Sequence, residues 1–89
     1  MVHDLKILPK YFKAVYLGDK TFEIRKNDRN FKKGDYIRLR EFENNQYTGR
    51  YIEGMITYLF KGGNYGLDEN YCVFSFITSS CKLEENRWK

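Results

Sequence analysis

The apolar residues of this chain follow a helical period in one place, between Pro9 and Gly18, and this feature constrains the fold most. The apolar members of that segment recur at helical spacing, as Tyr11, Phe12, Val15 and Tyr16. Proline is well tolerated at the first position of a helix, and glycine commonly ends one. The pattern predicts a short helix over residues 9–17. The other regular patterns are those of strands, so the sequence predicts an α+β domain.

Strand patterns precede and follow this helix. Apart from a polar strand that opens at Lys20, the strands are expected at residues 3–8, 36–40, 51–60 and 71–77. One helix with about five mainly antiparallel strands is typical of a small, partly closed β-barrel. The strand over residues 51–60 carries bulky groups on both faces, which suits a central strand, and Gly54 allows it to bend.

The length of 89 residues allows one small domain with a limited core. A content of 42% hydrophobic and 18% aromatic residues is too rich in large apolar groups for a disordered chain. We predict a single domain over residues 1–77, in which Phe31 folds back from a loop onto the core. Residues 78–89 are polar and are expected to form a frayed C-terminal tail, from which Leu83 and Trp88 can dock on the body.

Cysteine usage and hydropathy indicate the compartment. The N-terminus lacks the long apolar run of a signal peptide, and no segment approaches the ~18 apolar residues of a membrane span. Cys72 lies in a strand pattern and Cys81 in the polar tail, without the spacing of a metal site. We therefore expect a cytoplasmic protein with reduced cysteines, no membrane partner, no metal and no cofactor.

The polar strand that opens at Lys20 carries the candidate binding chemistry. Successive side chains on a strand point to opposite faces, so its polar and apolar residues separate. One face presents a hydroxyl, a carboxylate and a guanidinium, those of Thr21, Glu23 and Arg25. The other face presents Phe22 and Ile24, which we predict to point into the core.

The excess positive charge of the chain is concentrated around this strand. The net charge is +4, and residues 20–40 hold eight basic residues against three acidic ones. Such a local excess favours a phosphate-binding surface, which Arg38 and Arg40 extend if their strand neighbours the polar strand. The candidate nucleic-acid-binding residues are Lys20, Thr21, Glu23, Arg25, Lys26, Arg29, Arg38 and Arg40.

Several motifs carry a resemblance to a known family. The run Lys-Thr-Phe-Glu-Ile-Arg at residues 20–25, with Phe-Lys-Lys-Gly-Asp at 31–35, resembles an ASCH domain of the PUA-like superfamily. More narrowly, residues 3–9 and 22–28 resemble a small bacterial and phage subfamily of that fold with no assigned function. The resemblance implies a PUA-like β-barrel with a cleft beside the helix, and RNA binding. The family's Gly, Lys, Glu and Arg positions correspond to Gly18, Lys20, Glu23 and Arg25.

Three roles stay open for this strand, of which RNA or nucleotide binding is the first. A second is RNA processing: a ribonuclease would use Lys20, Glu23 and Arg25, with His3 as an acid. The resemblance extends to acetylcytidine amidohydrolases, but Glu23 stands where their threonine nucleophile is placed. A third is a protein-interaction module of phage or mobile-element origin that binds an acidic protein. Glu23 can also simply pair with Arg25. We favour binding over catalysis, and the oligomeric state stays open.

Overall fold

The computed structural model describes residues 1–85, in which five strands form one sheet. The elements in chain order are β1 (Val2–Ile7), α1 (Pro9–Tyr16), β2 (Phe22–Lys26), β3 (Tyr36–Glu43), β4 (Gln46–Lys61) and β5 (Tyr71–Lys82). The spatial order of the strands is β1-β3-β4-β5-β2. β1 runs parallel to β3, and the other neighbouring pairs are antiparallel. The sheet curls into a half-barrel, which confirms the predicted small, partly closed barrel with one short helix.

The helix α1 forms where the apolar period predicts it. Pro9 occupies its first turn, and Phe12 and Val15 are buried against the sheet. The chain leaves the helix through Gly18, whose φ of +82° suits glycine far better than other residues. The backbone N–H of Lys20 then donates to the carbonyl oxygen of Ala14 at 3.1 Å, so the end of the helix fixes where the polar segment begins.

The core lies in the concave side of the half-barrel and is closed by aromatic rings. Phe31 is buried and folds back from its loop, as predicted. Its ring centroid lies 4.7 Å from that of His3 and 5.1 Å from that of Phe74 in β5. Together with Ile37 and Leu39 of β3, these residues join α1, the loop and the sheet into one cluster.

The strand β5 is longer than predicted, because it continues to Lys82 instead of ending at residue 77. Ile52 of β4 pairs with Cys81, and Tyr51 pairs with Lys82. A ladder is held by backbone hydrogen bonds, so exposed polar side chains do not end it. Leu83 remains exposed, whereas Trp88 lies outside the described residues.

The register of β4 against β5 shifts at Gly54, where the two backbones approach closely. A Cβ atom at this position would overlap the carbonyl oxygen of Ile77. Only a residue without a side chain fits here, which agrees with the predicted bend in this central strand.

The two edge strands, β1 and β2, face each other across the opening of the half-barrel. No backbone ladder joins them in the described part of the chain. Instead, Arg25 donates from Nη2 to the carbonyl oxygen of Lys6 at 2.6 Å, and Arg29 donates from Nη1 to that of Asp4 at 2.7 Å. We call this junction, formed by Asp4, Lys6, Arg25 and Arg29, the seam.

Candidate functional site

Glu23 is buried, and this reverses the predicted orientation of β2. Its exposed fraction is 4%, whereas Phe22 is 42% and Ile24 is 55% exposed. The prediction that the apolar pair points into the core was therefore wrong. A carboxylate can take the inward position because cations beside it offset the cost of leaving water.

Two cations hold Glu23, one on each carboxylate oxygen. Lys20 donates from Nζ to Oε1, and it also donates to the carbonyl oxygen of Phe22 at 2.8 Å. Arg25 donates from Nε to Oε2 at 2.8 Å while its Nη2 reaches across the seam. The pairing of Glu23 with Arg25, left open by the sequence, is thus present. A carboxylate engaged on both oxygens in this way fixes the positions of its two cationic neighbours.

A cleft of about 530 Å³ opens over this cluster, between the end of β1, the start of α1 and β2. We call it the seam cleft. Four cations line it, namely Lys6, Lys20, Arg25 and Lys26. Its walls also carry large apolar groups that are 42% to 55% exposed, namely Leu8, Tyr11, Phe22, Ile24 and Tyr71. The cleft therefore combines positive charge with accessible rings.

Lys20 links the charged and aromatic parts of the seam cleft. Its Nζ lies 5.6 Å from the ring centroid of Tyr11 and 5.2 Å from that of Phe22. Cations at this distance are attracted to an aromatic face. The ammonium group held by Glu23 therefore also helps to fix the positions of two exposed rings.

The other predicted residues of this segment lie around the cluster. Lys26 is exposed at the rim of the seam cleft. Thr21 is exposed outside the cleft and borders a neighbouring hollow beside Ile77, so its hydroxyl does not join the carboxylate of Glu23. Arg29 belongs to the seam, and its Nε lies 4.0 Å from the carboxylate of Asp28.

Arg38 and Arg40 do not extend the polar face of β2, because β3 does not neighbour β2 in the sheet. They lie on β3 and line a second cleft of about 290 Å³. Arg38 pairs with Glu53 at 2.7 Å, and this contact raises the pKa of the arginine. The pKa of Glu53 is lowered by hydrogen bonds from Ser80 and then from Arg38. The guanidinium carbon of Arg40 lies 3.8 Å from the ring centroid of Tyr47.

A second buried ion pair was missed by the sequence reasoning. Glu41 is buried and accepts hydrogen bonds from Nε and Nη2 of Arg50, each at 2.8 Å, and from the hydroxyl of Thr48 at 2.8 Å. The bonds to Glu41 raise the pKa of Arg50. The signal was present, because Glu41 follows Ile37 and Leu39 at the two-residue period of the inward face.

His3 is buried away from the seam cleft. Its Nε2 lies 2.8 Å from Oδ2 of Asp35, and its ring packs on Phe31. The backbone N–H of Lys32 donates to the same carboxylate oxygen at 3.1 Å. The His3 hydrogen bond is the main cause that lowers the pKa of Asp35. His3 therefore joins the N-terminal strand to the loop, and it does not line the cleft with Glu23.

The described residues contain no group of three or more His, Cys, Asp or Glu side chains placed to hold a metal ion. Cys72 is buried and Cys81 is exposed, and both are free thiols. Within residues 1–85, no helix is both long and apolar enough to cross a membrane.

The fold and the site together define a small half-barrel domain whose cleft is organised by a doubly paired glutamate. The chain belongs to a family described as a domain of unknown function (DUF3850), whose sequence profile matches residues 2–76. It is also 43% identical over 56 residues to an "Uncharacterized 12.9 kDa protein in GpA 3'region" of Escherichia phage P2. That match covers 63% of this chain and 51% of the phage protein, so it spans about half of the relative's length.

Proposed function

We propose that this domain binds single-stranded RNA in the seam cleft. The observation that carries the proposal is the set of exposed aromatic and aliphatic side chains placed beside four cations in one cleft. Two of these cations, Lys6 and Lys26, are outside the ion pairs of Glu23. Contiguous exposed apolar groups rimmed by polar residues mark binding sites. Proteins that bind single strands combine stacking rings with a positively charged groove, and unpaired RNA bases are accessible to such rings.

The residues of the seam cleft have separate roles in this proposal. Tyr11, Phe22 and Tyr71 provide faces on which bases stack. Lys26, exposed at the rim, contacts phosphate, as a flexible ammonium group commonly does. Glu23 and Arg25 position Lys20 and the edge of β2, and they need not touch the RNA. A nucleotide of the bound strand is the smallest ligand that would use a ring and a cation together.

A finer assignment of fold and compartment forms part of the same proposal. We assign the domain to the ASCH group of the PUA-like superfamily, supported by the half-barrel, the helix after β1 and the cleft at that helix. We also place it in the cytoplasm. Two free cysteines in the described residues support this, because thiols persist in reducing compartments.

Catalysis receives less support from the geometry than binding. Both oxygens of Glu23 accept hydrogen bonds from cations, which opposes a role as a general base. His3 is held by Asp35 outside the seam cleft, so it is not placed to act with Glu23 as an acid. Thr21 lies in the adjacent hollow, which Lys20 also lines. A hydroxyl nucleophile at Thr21 would therefore have Lys20, but not Glu23, in the same hollow.

The proposal is tested by fluorescence anisotropy with a labelled single-stranded RNA at low salt. Phe22→Ala should weaken binding about tenfold, because losing one stacked base costs about 1–3 kcal/mol. Tyr36→Ala is the matched control, since Tyr36 is also an exposed strand aromatic but pairs with Val2, at the end of β1 away from the cleft. Absence of RNA binding at about 50 mM salt, where electrostatic contacts are strongest, would overturn the proposal. Equal losses of RNA affinity in Phe22→Ala and Tyr36→Ala would show that the seam cleft is not the RNA site.

A further inference from the structure

A row of side chains with a net positive charge crosses the outer face of the sheet from the seam cleft. The strand registers place Lys6 of β1 opposite Arg40 of β3, Arg40 opposite Tyr51 of β4, and Tyr51 opposite Lys82 of β5. We call these four residues the cross-strand row. Neighbouring strands lie about 4.8 Å apart, so the row spans roughly 14 Å. Lys6 also lines the seam cleft, so the row begins at the proposed RNA site.

The charges of the adjacent row on one side favour a path along the cross-strand row over a path along that neighbour. The adjacent row lies two residues away from the cross-strand row along the strands. The strand registers place in it Asp4, Arg38, Glu53 and Ser80. Arg38 is paired with Glu53, and Ser80 donates to the other carboxylate oxygen of Glu53 at 2.7 Å. With Asp4 included, that row has more negative than positive charge and repels phosphate.

The surroundings of Arg40 leave its charge available to an anion. Its guanidinium group stacks on Tyr47, with 3.8 Å from its central carbon to the ring centroid. Stacking uses the flat face of the group, so the N–H donors in its plane stay free for bidentate contact with phosphate. Arg38 and Arg50 line the same second cleft, but their charges are engaged by Glu53 and Glu41. No ion pair of Arg40 or Lys82 occurs within residues 1–85.

We propose that Arg40 and Lys82 form a second phosphate-binding subsite, and that a bound RNA strand leaves the seam cleft at Lys6 to reach it across the outer face. Tyr51 lies between the two cations in the row. The guanidinium carbon of Arg38 lies 5.0 Å from the ring centroid of Tyr51, so an intervening base would use the rest of that ring. This inference rests on the proposed function, and it predicts that affinity depends on the length of the RNA. A strand short enough to fill only the seam cleft does not use the subsite.

The test compares labelled uridine oligomers of about 4 and 12 nucleotides, within the range of single-strand site sizes. The double variant Arg40→Gln/Lys82→Gln should bind the longer oligomer about tenfold more weakly, with the short oligomer unchanged. Each single-strand phosphate contact contributes about 0.7 to the slope of log affinity against log salt, so the slope should fall by about 1.4. Lys82→Gln alone, near the end of β5, should lower the slope by about 0.7.

The control is Lys32→Gln/Lys33→Gln, which removes the same charge from the exposed loop before β3. A matching loss of affinity in this control would overturn the subsite, because general electrostatics would then explain the effect. Unchanged binding of both oligomers by Arg40→Gln/Lys82→Gln would overturn the subsite while leaving the seam cleft as the RNA site. Failure of the unmodified protein to bind either oligomer would instead overturn the proposed function.

Discussion

Glu23 connects the stability of the domain to its proposed binding surface. Its carboxylate holds Lys20 and Arg25, and through them it places a cation near two rings and an arginine across the seam. A buried charge is tolerated when it is paired, and loss of one partner leaves the others uncompensated. The residue is therefore expected to act through its neighbours.

Glu23→Gln should destabilise the domain by about 2–4 kcal/mol, because Lys20 and Arg25 would lose a charged acceptor in a partly buried site. The measurement is the free energy of unfolding in urea. Glu69→Gln, at an exposed loop position, is the control and should change stability by less than about 0.5 kcal/mol. Similar effects of the two substitutions would show that the cluster does not stabilise the fold.

At the scale of elements, the local periods predicted the helix and the five strands, because spacing within a segment depends only on its own residues. The orientation of β2 was not predictable in that way. Phe22 and Ile24 have the sequence pattern of core residues, and only the closure of the half-barrel makes the inward side a place for Glu23. The sequence predicts one site that contains Lys20, Glu23 and Arg25, because these residues are close along the chain.

The remainder of the site depends on which strands are neighbours. Tyr11 and Tyr71 reach the seam cleft from α1 and β5, and no sequence period places them beside β2. Arg38 and Arg40 were assigned to the same surface as β2 on the condition that β3 adjoins it, and the strand order separates them. The end of β5 was predicted too early because its last residues are polar.

The close contact of β4 and β5 at Gly54 leads to a prediction at the scale of elements. Gly54→Ala should destabilise the domain by about 1–3 kcal/mol, because the new methyl group overlaps the backbone of β5 and forces the strands apart. Thermal unfolding measures this change. Gly66→Ala serves as the control for backbone strain without a clash, since open space surrounds that position and only its φ of +80° opposes alanine, at about 1 kcal/mol. An alanine at position 54 that leaves the melting temperature unchanged would contradict the close approach of β4 and β5.

At the scale of the whole molecule, Asp35 joins separate parts of the chain. It accepts hydrogen bonds from His3 in β1 and from the backbone of Lys32 in the loop, and its Oδ1 lies 4.0 Å from the N-terminal amine. The pKa of Asp35 is lowered in the folded state, mainly by the bond with His3. A carboxyl group whose pKa is lowered by folding stabilises the folded state at pH values above its pKa in the unfolded chain, about 3.9. That contribution is lost as the pH falls through its pKa in the folded state.

Asp35→Asn should therefore reduce stability by about 1–2 kcal/mol near pH 6, where the carboxylate is charged in both states. The difference from the unmodified protein should shrink as the pH falls below about 4, and urea unfolding at several pH values measures it. Asp19→Asn, at an exposed position after α1, is the control and should give a small difference at every pH. A constant difference between pH 6 and pH 3 in Asp35→Asn would contradict the role of its charge.

The seam also determines how the domain behaves towards other copies of itself. An unpaired edge strand is a template on which another chain can add a strand, and this is a common route to aggregation. In β1, the guanidinium groups of Arg25 and Arg29 already occupy the carbonyl oxygens of Lys6 and Asp4. An incoming strand would have to displace two charged donors before it could pair along this edge. The two arginines thus make this edge of the half-barrel a less favourable template for strand addition.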